Sequence, residues 1–172
     1  GVNDGIVFFG LQYFIKDFLV NAFNEGFFKQ PKEKVVKAYK RRMDTSLGAG
    51  TISMEHIEAL HDLGYLPISI RALPEGSVTD ARVPFLTIEN TKPEFFWLTN
   101  YLETILSNNI WKACTSATTA YKYKQLLLRY ARETGADENF VDFVAHDFSF
   151  RGMNGSQDAM SSGAGHLTSF VG

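Results

Sequence analysis

A chain of 172 residues, 45% hydrophobic and 21% charged, can bury the core of one domain or a little more and has the composition of an ordinary soluble globular protein. Its net charge of −2 offers no basic surface to nucleic acid or to an anionic membrane. The one cysteine, Cys114, excludes an internal disulfide and fits a reducing compartment. No apolar run reaches membrane-spanning length, and the first residues lack the basic region and cleavage site of a signal peptide, so a cytoplasmic location is expected.

Asn3 or Asp4 can cap a first helix running to about Phe23, with Phe8, Leu11, Ile15, Phe18 and Leu19 on one face. Its aromatic load implies packing against something outside this sequence, or against a second subunit. Pro31 suits the first turn of a second helix, in which Val35, Val36, Tyr39 and Met43 form the inner stripe. The lysines and arginines of that helix read as a solvated face rather than a nucleic-acid patch. Ser53 caps a third helix that ends at Gly64, a left-handed C′ residue. Its His56 and His61 are five apart, not the four that a zinc-binding pair on one helix face requires.

From Leu66 the period becomes two, and Leu66–Ala72 reads as a strand with one buried face. Pro74-Glu75-Gly76 gives a turn and Pro84–Glu89 a second strand. Thr91-Lys92-Pro93-Glu94 has the form of a capping box, opening a helix to about Asn108. A further helix is expected from about Ser116 to Thr134, with Ala120, Tyr123, Leu127 and Tyr130 as its core stripe and Gly135 as its stop. Phe140–Ala145 is a short apolar run of the kind that forms a buried strand. A polar turn through Arg151, Gly152, Asn154 and Gly155 follows, then a helix of small residues from Ala159 to Gly165. Strand, loop and helix in this order are the repeating unit of α/β folds, and ligands bind at the loop. That loop offers an aromatic, Phe148, an arginine, Arg151, and a helix start capped by Asn154 or Ser156. The sequence therefore divides into an α+β N-terminal domain over 1–138 and the first strand–loop–helix of an α/β barrel over 139–172.

The run His146-Asp147-Phe148-Ser149-Phe150-Arg151-Gly152, with Ser156-Gln157 and the helix closing at His166-Leu167, resembles the nicotinamide phosphoribosyltransferase family. Phe9-Gly10-Leu11-Gln12-Tyr13, Ala72-Leu73-Pro74-Glu75-Gly76, and the stretch from Thr87-Ile88-Glu89-Asn90-Thr91 to Glu103-Thr104-Ile105-Leu106 carry the same resemblance. Chains of that family are well over twice this length, so the sequence is expected to be an interior piece. The resemblance implies an irregular α/β phosphoribosyltransferase barrel. It also implies transfer of phosphoribosyl from phosphoribosyl pyrophosphate to nicotinamide, giving nicotinamide mononucleotide and pyrophosphate, as in NAD salvage. A homodimer with shared active sites is implied as well, with no tightly bound cofactor and Mg2+ accompanying the pyrophosphate substrate.

By the same resemblance Phe148 stacks on the pyridine ring and Arg151 contacts phosphate. An aromatic face holds a flat ring at low cost, and a guanidinium fork pairs with phosphate oxygens. His146 and Asp147, neighbours that would point to opposite faces of a strand, read as structural or as support for these residues. His166 and its small neighbours read as close helix packing, and Cys114 as a packing residue. Ser149 stands where the family usually has glycine, and Met153-Asn154-Gly155 replaces a more serine-rich stretch. The family's carboxamide-reading acid and catalytic histidine are expected beyond Gly172, so the 172 residues alone are expected to be inactive. Two other readings remain: a nicotinate phosphoribosyltransferase, and a non-catalytic interaction module. The coding sequence after Gly172 separates the module from the enzymes.

Overall fold

A computed structural model describes residues 5–171, in which helix and strand are mixed as the α/β class requires. The chain forms two compact units. One comprises Gly1–Leu11, Arg71–Thr87 and Glu103–Gly172; the other comprises Gln12–Ile70 and Ile88–Leu102.

In the second unit, α1 (Leu11–Phe14) widens into π-helical turns over Ile15–Ala22 and Asn24–Phe28. The Phe23 amide reaches back to the Phe18 carbonyl, and the Lys29 amide to that of Asn24 at 2.9 Å. Such i→i+5 winding is rare and needs side-chain support. Here the support is a ladder of rings, with Phe14, Phe18, Phe23 and Phe27 spaced four, five and four residues apart. Successive centroids lie 5.3, 5.6 and 6.4 Å apart, within the range of favourable aromatic pairing. Of the aromatics expected to pack outside this sequence, Phe14 and Phe18 join this ladder, while Tyr13 is exposed. The expected cap at Asn3 or Asp4 lies outside the described residues. Helix begins only at Leu11, because Ile6–Val7 is instead a strand, β1.

Helix α2 (Lys32–Leu47) follows Pro31, and Val35, Val36, Tyr39 and Met43 form its half-buried stripe. Helix α3 (Glu55–Leu63) starts beside Ser53, whose hydroxyl accepts the Glu55 amide at 3.2 Å. It stops at Gly64 with φ of 79°, the left-handed end that glycine allows. His56 sits edge-on to Trp97 at 4.9 Å and to Tyr39 at 5.7 Å, and His61 lies 5.3 Å from Phe27. Both imidazoles are parts of aromatic clusters. Strands β2 (Ile68–Ala72) and β4 (Leu86–Asn90) pair with each other. Bonds from the Leu73 amide to Phe85 and from the Thr91 amide to Pro67 make that pair antiparallel.

In the first unit β1 pairs antiparallel with β3 (Val78–Thr79), and Phe8 is fully buried, stacked 4.6 Å from Phe85. Two helices expected on either side of residues 109–115 are one, α4 (Leu98–Thr134). The bridging stretch contains neither glycine nor proline. The buried series Leu98, Leu102, Leu106, Ile110, Ala113, Ala117 and Ala120 crosses it without losing its three-and-four spacing. The Asn109 side chain bonds back to the Ile105 carbonyl at 2.7 Å rather than interrupting the winding. Tyr123 and Tyr130, expected in the core stripe, are exposed, while Ala120 is buried. The expected capping box does not form. Pro93–Phe95 is a tight 3-10 turn entered from Lys92 without a side-chain cap.

Phe140–Ala145 is not a strand. Glu138–Phe143 forms 3-10 turns, begun where the Asp137 carboxylate accepts the Asn139 amide at 2.9 Å. Local bonds from the Phe140 amide to Asp137 and from Val144 to Val141 satisfy the backbone that a ladder would have used. Val141 is buried, but Phe140 and Phe143 point outward.

Candidate functional site

The loop between these turns and α5 (Ser156–His166) is held from three directions within the first unit. Lys124 of α4 reaches the Asp142 carboxylate and the Ser169 carbonyl, both at 2.8 Å, and the Val171 amide donates to the Asp142 carbonyl at 3.0 Å. The ring N–H of His166 at Nε2 donates to the Ala145 carbonyl at 3.2 Å, and its ring stacks on Phe170 at 5.0 Å. Gly165 explains how α5 approaches α4 so closely. A Cβ there would meet the Ala113 carbonyl at 2.7 Å and the Ala117 amide nitrogen at 2.9 Å. Of the small residues of this helix, Gly165 and Ser162 are buried and serve this packing.

Neither Asn154 nor Ser156 caps α5 with its side chain. The Asp158 carboxylate accepts the Asn154 amide at 3.1 Å and meets Lys112 of α4 at 3.3 Å. These two partners hold the Asp158 carboxyl below its ordinary range. The helix start is therefore already served by a carboxylate, and Gly155, with φ of 125°, makes the turn into it.

Asp147 is the hub of the loop. One of its oxygens accepts the Ser149 amide at 2.8 Å, and Ser149 Oγ lies 3.1 Å from Ser162 Oγ. Ser162 is buried on α5, and its carbonyl accepts the Ser116 hydroxyl of α4 at 2.6 Å. Partial burial would raise the Asp147 carboxyl. Hydrogen bonds from Ser149 and from the Ser162 hydroxyl, with His166 nearby, outweigh it and hold the carboxyl below the usual range. A groove of about 490 Å3 runs along this network, with Lys112, Ser116, His146, Asp147, Ser162 and His166 in its wall.

Phe148 and Arg151 stand beside that groove rather than in its wall. Phe148 enters the short 3-10 turn Ser149–Gly152 with its ring 71% exposed, and Arg151 lies exposed within the turn. No hydrogen bond or ion pair holds the Arg151 guanidinium among the described residues. The His146 ring lies edge-on to that of Phe148 at 6.4 Å. Ser116, Ser162 and Lys112 escaped the sequence reading, since the contacts from α4 to this region span some 40 to 46 residues and leave no local pattern. Among the described residues no group of three His, Cys, Asp or Glu side chains could hold a metal ion, and no helix is long and apolar enough to cross a membrane.

No family model matches the chain. It is 63% identical over 170 residues, 99% of its length, to a nicotinamide phosphoribosyltransferase of Acinetobacter baylyi, of which it covers 34%. It is 45% identical over 94 residues to the enzyme of that name from Mycoplasma genitalium, and 40% identical over 110 residues to that of Xanthomonas campestris pv. campestris. These stretches are 53% and 63% of this chain and 21% and 23% of those relatives. All three relatives are phosphoribosyltransferases by name. The chain belongs to the nicotinamide phosphoribosyltransferase family, and it spans about a third of the Acinetobacter relative's length.

Proposed function

We propose that the full-length protein transfers phosphoribosyl from phosphoribosyl pyrophosphate to nicotinamide, forming nicotinamide mononucleotide and releasing pyrophosphate, a step of NAD salvage. The observation that carries this reading is the 63% identity over 170 of 172 residues, a span that includes the Phe148–Arg151 loop. The chemistry needs the pyridine nitrogen aimed at the anomeric carbon, a fixed cation for the departing pyrophosphate, and exclusion of water from a cationic ribose. An exposed ring at Phe148 can take a second flat ring against its face. A guanidinium three residues later, without a partner among the described residues, can take phosphate oxygens in a forked pair.

Magnesium enters as part of the phosphoribosyl pyrophosphate complex. His146 and Asp147 support the loop rather than react. The active form is a cytoplasmic homodimer in which each site draws on both subunits, and the reacting groups beyond Phe148 and Arg151 come from the rest of the protein. Steady-state formation of the mononucleotide by the full-length protein, with nicotinamide and nicotinate compared, tests the reading. Turnover with nicotinamide supports it. Preference for nicotinate assigns the acid enzyme instead, and sedimentation as a monomer removes the shared site.

A further inference from the structure

We propose that Ser149 and Ser162 form a hydroxyl latch that fixes the Phe148–Arg151 turn to α5, with Asp147 as the carboxylate that receives it. This rests on the assignment of Phe148 and Arg151 to substrate. Asp147 and Ser149 flank Phe148 on either side, so whatever fixes those two residues fixes the direction of the ring between them. Asp147 Oδ1 holds the Ser149 amide at 2.8 Å, which shapes the turn locally. The hydroxyl pair, 3.1 Å between Ser149 Oγ and Ser162 Oγ, ties that turn to a helix, and the Ser162 hydroxyl also bonds the Asp147 carboxylate. Ser162 is 6% exposed, and its own carbonyl is fixed by the Ser116 hydroxyl at 2.6 Å, so the anchor is rigid. The other Asp147 oxygen, Oδ2, also faces the helix, 4.0 Å from where a Cβ on Gly163 would stand.

The latch steadies a turn that projects exposed rings at Phe148 and Phe150. Ser149 and Ser162 act here as positioning residues, through the direction they give the Phe148 ring.

The test is made on the full-length protein with Ser149→Ala, Ser162→Ala and the double variant, with Ser149→Thr to restore the hydroxyl. Ser161→Ala serves as control, since that hydroxyl bonds to its own helix at the Gln157 carbonyl. Amide hydrogen exchange across residues 146–153 should accelerate about three- to tenfold in each alanine variant, the range expected for one net hydrogen bond. The double variant should accelerate exchange by less than the two singles combined, because the singles share the loss of one interaction. Ser149→Thr should restore most of the protection and Ser161→Ala should leave it unchanged. KM for nicotinamide should rise by a similar factor while kcat changes less, as expected when a binding surface loses its fixed direction. Unaltered loop exchange, or additive effects of the two alanines, would overturn the latch. Accelerated exchange with no effect on nicotinamide KM would overturn its positioning role. The exchange readout does not need turnover, so a protein that made no mononucleotide would refute the assigned reaction and leave the latch separately judged.

Discussion

Phe148 and Arg151 lie three positions apart on an exposed turn, and each should leave a different kinetic trace. In the full-length protein Phe148→Ala should weaken nicotinamide at least several-fold more than phosphoribosyl pyrophosphate, since a stacked pair is worth about 0.5–1.5 kcal/mol beyond its area. Equal weakening of both substrates would make Phe148 a scaffold residue. Arg151→Ala should lower kcat/KM for phosphoribosyl pyrophosphate roughly ten- to a hundredfold, the value of about 1.5–3 kcal/mol for a bond to a charged group. Arg151→Lys should recover only part of it. Because no partner holds Arg151 among the described residues, its removal should change stability by no more than about 0.5 kcal/mol. Cys114 behaves oppositely. Burial pushes its thiol up, with Glu75 adding to the effect and the Phe9 amide opposing it. A raised value in the folded state stabilises at pH below the ordinary thiol range, where both states keep the proton. Stability should fall as pH climbs through that range towards the folded value, because the unfolded chain ionises first. Cys114→Ala should flatten that alkaline slope in denaturant titrations, and an unchanged slope would remove Cys114 as its source.

At the scale of elements, the crossing of α5 on α4 reverses a familiar substitution. Glycine to alanine within a helix ordinarily adds up to about 1 kcal/mol. Gly165→Ala should instead cost about 1–3 kcal/mol, because the new methyl meets α4 backbone at under 3 Å. Gly163→Ala, with its nearest atom at 4.0 Å, should show no such penalty. Denaturant midpoints of the two variants decide between these signs. The same physics explains what could be read in advance. Pro31, Gly64 and the period-two run into β2 act on backbone locally, so the corresponding boundaries were legible to within a few residues. The apolar run at residues 140–145 carries no period to separate a buried strand from helical turns, and here local capping by Asp137 decided. Ser107-Asn108-Asn109 resembles a loop in composition, yet the buried face of α4 continues through it. Strands β1 and β3, each two residues long, are too short to show alternation, and the π-helical turns announce themselves only in the spacing of phenylalanines. In the site, Phe148 and Arg151 were legible through resemblance to a family. The Ser116–Ser162 bond was not, because only the finished packing brings those residues together.

At the scale of the whole molecule, the chain spans 34% of the Acinetobacter baylyi relative. The 172 residues alone should therefore make no nicotinamide mononucleotide, and detectable turnover by them would place the reacting groups within this chain after all. The most direct measurement is steady-state turnover of the full-length protein with nicotinamide or nicotinate and phosphoribosyl pyrophosphate, repeated with Arg151→Ala at matched melting temperature. Wild-type protein should form nicotinamide mononucleotide and pyrophosphate in equal amounts, with nicotinamide strongly preferred. The variant should lose roughly ten- to a hundredfold in kcat/KM for phosphoribosyl pyrophosphate while remaining folded. A folded wild-type protein that forms no mononucleotide, or a folded variant with normal kinetics, would contradict the account.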